Sequence, residues 1–108
     1  MEEKSRLELL RELVETNPAE PFARYGLAME LSNYGDPSEA WGQFEYLLTH
    51  HADYCPTYYQ AGLFLIRQGR KEEAQKILEK GIEVSGRQGN LHAQGELQAA
   101  LDELIKKL

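Results

Sequence analysis

His50, His51, Asp53 and Cys55 bring metal-ligand and nucleophile residue types together within six positions. Adjacent helical residues point about 100° apart, so His50 and His51 cannot both reach one ion while the helix persists. The paired Cys or His-x3-His spacing of structural zinc sites is also absent. The group reads as a polar helix end followed by a small buried thiol, with no metal and no cofactor. For nucleophilic catalysis Cys55 needs a base and an orienting group, and His51 is the neighbouring residue that could act as base. A cysteine opening a helix would have a lowered thiol pKa, yet nothing else in the sequence supplies an oxyanion hole. Glu8, Glu12 and Glu15, and again Glu72, Glu73, Glu79 and Glu83, sit among Arg and Lys at helical spacings, the pattern of a solvated face. The glycines occur singly, so no phosphate-cradling loop exists. These residues give no enzyme.

The elements that carry them are helices. Leu7, Leu10 and Val14, and later Leu97, Leu101, Leu104, Ile105 and Leu108, recur at spacings of three and four. Breaks fall at Asn17-Pro18, Gly35-Asp36-Pro37, Ala52 to Pro56, Gly69, and Gly86 to Asn90. An all-α chain of six helices follows, near 3–16, 20–34, 37–51, 55–68, 71–85 and 90–107. Asp36 is placed to cap the third, with Pro37 at its first position and Glu39 reaching back as in a capping box. Asn90 is placed to cap the last, which ends on Lys106 and Lys107 where the helix dipole favours cations.

Length and charge narrow the class further. A chain of 108 residues with 42% hydrophobic residues is sized for one domain, 1–108, around a packed core. Net charge is -6, which disfavours nucleic acid and membrane surfaces as partners. Met1 to Ser5 carries no basic, apolar leader pattern, and a single cysteine excludes an internal disulfide, so a reducing, cytoplasmic setting is expected.

Sliding the chain against itself by 34 residues aligns Tyr25 with Tyr59, Leu31 with Leu65 and Gly35 with Gly69. Glu39 meets Glu73, Ala40 meets Ala74, and Glu45 meets Glu79. Six identities in 34 positions, where chance gives about two, mark a repeating helix pair. The period and positions resemble the tetratricopeptide repeat. In residues 55–88 its pattern reads Tyr58, Ala61, Gly62, Leu65, Gly69, Ala74, Leu78 and Gly81, with Gly86 at the usual Pro position. In residues 21–54 it reads Arg24, Leu27, Ala28, Leu31, Gly35, Ala40 and Phe44, with Ala52 at that position. Residues 3–18, with Leu10 and Pro18 in register, resemble the second helix of an incomplete repeat, and 90–108 a C-terminal capping helix. The stretch from Tyr54 to Tyr59 and the Leu91-His92-Ala93 sequence are similar to small free-standing bacterial proteins of this family. Ala28, Gly62, Ala40, Ala74 and Gly81 are small where paired helices approach closely, while Leu31, Leu65, Phe44 and Leu78 fill the space around them.

The resemblance implies a right-handed α-solenoid of antiparallel helix pairs acting as a non-enzymatic protein-interaction module. In the family the first helix of each pair lines a concave groove. The matching positions are Phe22, Tyr25, Met29, Ser32 and Asn33, then Pro56, Tyr59, Leu63, Ile66 and Arg67. Tyr25 and Tyr59 would anchor an apolar peptide or helix of a partner protein, Phe22, Met29, Leu63 and Ile66 would wall it, and Arg67 would select an acidic group. The half repeat or the C-terminal helix could instead cover these residues as core. Relatives that bind acidic chaperone tails carry Lys and Asn where Tyr25, Tyr59, Met29 and Leu63 stand here, which argues against that ligand. Trp41, Tyr46 and Tyr54 fall off the groove and are expected to pack. A homodimer or longer stack through exposed apolar surface is the alternative from a different class.

Overall fold

The computed structural model describes residues 3–108; residues 1 and 2, part of the segment read above for a leader, lie outside them. The described residues form six helices and no strand. They are α1 (Arg6–Thr16), α2 (Pro21–Tyr34), α3 (Pro37–His50), α4 (Pro56–Arg67), α5 (Lys71–Arg87) and α6 (Leu91–Lys106). None is long and apolar enough to cross a membrane. The chain is an all-α helical repeat, as the 34-residue period implies.

Side-chain caps set most of the helix starts. Ser5 accepts from the Glu8 N–H, which begins α1 at Arg6, later than the periodicity alone suggested. Glu20 accepts from the N–H groups of Phe22 and Ala23, a cap the sequence reading did not anticipate. Asp36 accepts from the Ser38 N–H ahead of α3, and Asn90 accepts from the Ala93 N–H at the start of α6. Each such cap satisfies a donor that the helix geometry leaves without a partner. Glu39 does not complete a capping box. Both of its carboxylate oxygens accept from the Arg11 guanidinium of α1, because a charge-assisted fork is stronger than one bond to a backbone N–H.

The helices group into two compact units, one ending at Tyr54 and the other running from Cys55 to Leu108. In the first, α2 and α3 form a helical hairpin and α1 packs on α2. Leu27, Ala28, Leu31, Ala40, Phe44 and Leu47 make its core. Leu10 of α1 joins them, approaching α2 at Gly26, where an added Cβ would lie 3.0 Å from the leucine Cδ2. Arg11 and Glu39 then tie α1 to α3 at the edge of this core.

In the second unit α4, α5 and α6 pack in sequence. Ala61, Leu65, Ala74, Leu78, Val84 and Leu97 are its buried centre, and each large apolar side chain so buried contributes roughly 1.5–3 kcal/mol. Small residues set the helix spacing. An added Cβ on Gly62 would lie 2.5 Å from Leu78 Cδ2, and one on Gly81 would lie 2.6 Å from Tyr58 Cβ and 3.0 Å from Leu97 Cδ2. The buried Ser85 hydroxyl donates to the Gly81 carbonyl at 2.8 Å, so it enters the core without an unmet polar group. Gly69, at φ +76°, supplies the left-handed residue that lets the chain reverse between α4 and α5.

Candidate functional site

The pairs Gly62–Leu78 and Tyr58–Gly81 show α4 and α5 antiparallel, and Gly81–Leu97 with Gly86–Gln94 show the same for α5 and α6. It follows that α4 and α6 run in the same direction. Between them lies an open cleft of about 530 Å³. Tyr59, Leu63 and Ile66 form its α4 wall, and Ala99, Ala100 and Leu104 its α6 wall. The three α4 residues sit at spacings of four and three, the face one helical stripe presents, and all three are half-buried. Ala99 and Ala100, in the middle of the α6 wall, are short. The helix therefore forms one side of the hollow instead of filling it.

Charged side chains line both ends of the cleft. Glu96 stands at the end where Tyr59 lies, with His92 Nε2 3.5 Å from its Oε1. Lys71 and Lys107 stand at the other end beside Ile66, together with Glu103, which also lines the cleft 3.6 Å from the Lys107 Nζ. Lys71 is also the first residue of α5, so the positive end of that helix dipole adds to the same side. Lys107, the cap residue after α6, is eleven positions beyond Glu96, which spaces them by about 16 Å along the helix. Arg67 is exposed in the last turn of α4 and is not among the residues lining the cleft.

The remaining expected groove residues belong to the first unit. Phe22 is 70% exposed at the start of α2, and Met29 is half-buried two turns later. Tyr25 meets Tyr54 edge to face, ring centres 5.8 Å apart. Tyr54 therefore does not fall apart from the Tyr25 face as the repeat ruler suggested. A turn in which its N–H donates to the His51 carbonyl at 2.9 Å carries it back to α2. Burial, and then the charge of Glu20, raise the Tyr54 phenol above the ordinary tyrosine range.

The chemistry-bearing residues are placed differently. Cys55 is buried, and burial pushes its thiol pKa up, opposite to the lowering expected of a helix start. The loss of solvation outweighs the dipole there, and the side chain caps nothing. His50 and His51 both lie against Tyr46, with ring centres 4.3 and 6.2 Å away. The Arg24 guanidinium stands 3.7 Å from the Tyr46 ring centre and donates to Gln43 Oε1 at 2.9 Å and to the Pro18 carbonyl at 3.2 Å. The cation–π stack fixes the end of the α2–α3 hairpin. Among the described residues, no three His, Cys, Asp or Glu side chains converge as metal ligands would.

Of the residues that the repeat positions single out, Tyr59, Leu63 and Ile66 line this cleft; the reading that the C-terminal helix could lie against them names none of the α6 residues. A signal was present: Ala100, Leu104 and Lys107 recur at spacings of four and three on one helical face.

No family model matches this chain, and no curated protein does. Solved structures do. A tetratricopeptide repeat domain protein from Salinibacter ruber, known in solution, is 35% identical over 82% of this chain and 89% of that chain, with a TM-score of 0.77. A crystal structure of a tetratricopeptide repeat domain protein from the same organism is 35% identical over 79% and 96% respectively, with a TM-score of 0.74. A protein from Bordetella parapertussis shares the fold at 19% identity, covering 97% of this chain and 91% of that one with a TM-score of 0.82.

Proposed function

Because the chain belongs to the tetratricopeptide repeat family, we propose that it is a non-enzymatic protein-interaction module that holds a helix or peptide of a partner protein on its inner helices. The observation that carries this reading is the α4–α6 cleft: apolar walls, an open mouth and charges confined to its ends. Tyr59 anchors the partner, Leu63 and Ile66 receive its apolar side chains, and Arg67 stands beside the basic end to meet a carboxylate. In the first unit Phe22, Tyr25 and Met29 form a second contact patch, with the exposed Phe22 ring as its leading contact. No cofactor or metal enters this activity, and the setting in which it works is the cytoplasm.

The test is affinity capture from host lysate, comparing the parent with an Ile66→Glu, Arg67→Glu variant whose circular dichroism matches the parent. A protein held by the parent and lost by the variant is then purified and titrated calorimetrically. At least about a tenfold loss of affinity on Ile66→Glu supports the reading. Equal affinity for both contradicts it.

A further inference from the structure

The charged side chains that line the α4–α6 cleft are not all answered from within the chain. At one end Glu96 lies 3.5 Å from His92 Nε2, and at the other Glu103 lies 3.6 Å from Lys107 Nζ. Lys71, at the same end as Lys107, has no ion pair and no side-chain hydrogen bond among the described residues. Glu72 and Glu73 follow it in the chain and do not change this. Both Glu73 oxygens accept from the Arg70 guanidinium, and Glu72 is exposed and does not line the cleft. Lys71 therefore meets the cleft as a hydrated cation whose charge is left for a ligand.

Next to that charge the walls are apolar. Leu63 and Ile66 lie one turn apart on α4, and the short Ala99 and Ala100 leave room across from them. A helix whose own apolar side chains recur one turn apart fits this spacing. The cleft is open, which suits a polypeptide that continues past it better than a small amphiphile that needs enclosing walls. We propose that the occupant is a helix of a separate partner protein carrying one Asp or Glu a turn beyond its apolar pair, and that Lys71 selects it. This rests on the cleft being a docking site, and it adds the chemistry of the partner. With a net charge of -6 the protein repels acidic segments in general, so Lys71 sets where along the occupant a carboxylate is accepted.

The test selects a displayed library of random helical peptides on the full chain, then titrates the selected peptides calorimetrically. They should share two apolar residues three or four positions apart and an Asp or Glu three or four positions beyond one of them. Lys71→Glu should weaken binding about threefold or more. Exchanging the peptide's acidic residue for Lys should restore affinity for that variant and lower it for the parent. Glu suits the first position of a helix, so Lys71→Glu keeps the fold. Ala99→Glu, at an exposed position of the α6 wall, blocks the cleft and should abolish binding. Selected peptides without a shared acidic residue, or equal affinity for the parent and Lys71→Glu, overturn the proposal, and loss of binding by Ala99→Glu then leaves the cleft reading standing. If the peptides bind Ala99→Glu as tightly as the parent, or no peptide binds the parent, both fall. In sedimentation equilibrium, a parent mass that rises with concentration beside an Ala99→Glu mass that does not would make a second copy the occupant and overturn the assignment to a separate protein.

Discussion

Gly62 of α4 lies so close beneath Leu78 of α5 that a single added methyl would sit 2.5 Å from Cδ2 and 2.9 Å from Cγ of the leucine. This contact sets the spacing of the hairpin whose outer face forms a cleft wall. Gly62→Ala should destabilise the protein by about 1–3 kcal/mol through overpacking. Gly42, also helical, has nothing within 4 Å of an added Cβ, so Gly42→Ala should stabilise by about 0.5–1 kcal/mol. Thermal unfolding of both variants beside the parent checks the opposite signs.

Ala74 is fully buried on the α5 face that meets α4. Ala74→Leu should cost about 1–3 kcal/mol, again from overpacking. An unfolding midpoint equal to the parent's would contradict the repeat register that places it there.

The Arg11 guanidinium holds the Glu39 carboxyl below the usual glutamate range. A depressed folded pKa gives stability that is present above the unfolded value, about 4.3, and lost as pH falls through the folded one. The stability difference between parent and Glu39→Gln should therefore be constant near neutrality and shrink at acid pH, below about pH 4. Urea unfolding of both at a series of pH values measures it. A difference that stays the same to the lowest pH contradicts the pair.

The buried Cys55 thiol, raised in pKa by its surroundings, should react with an aromatic disulfide reagent at least about tenfold more slowly in the folded protein than in urea. Equal rates in the two states would place the thiol in solvent.

Helix positions and close contacts could be read from the sequence because they depend on residues near one another or repeated at a fixed period. Gly62, Gly81, Ala74 and Leu78 carry the repeat and also make the α4–α5 contact. Glu39 was misread because a local partner, the N-cap of α3, competes with Arg11, which lies 28 residues away. Cys55 reads from the sequence as a small buried thiol, which it is, but a helix start suggests a lowered thiol pKa, and burial raises it instead. The sequence allows the C-terminal helix as a cover for the groove residues without naming its wall residues, because the repeat pattern fades there. Gly95 and Glu96 stand at the positions where a further repeat would have Leu and Gly, so the register no longer showed which face of α6 turns to α4. The Arg24–Tyr46 stack joins two residues of different helices, 22 positions apart, that no periodicity relates.

The central claim is that a polypeptide occupies the α4–α6 cleft. A photo-crosslinking amino acid placed at Ile66, with a control at the exposed Glu45 of α3, tests it in the living host. The account predicts an adduct at Ile66 that is absent at Glu45, whether the attached chain is a second copy or another protein. Adducts of equal yield at both positions, or none at Ile66, would contradict it.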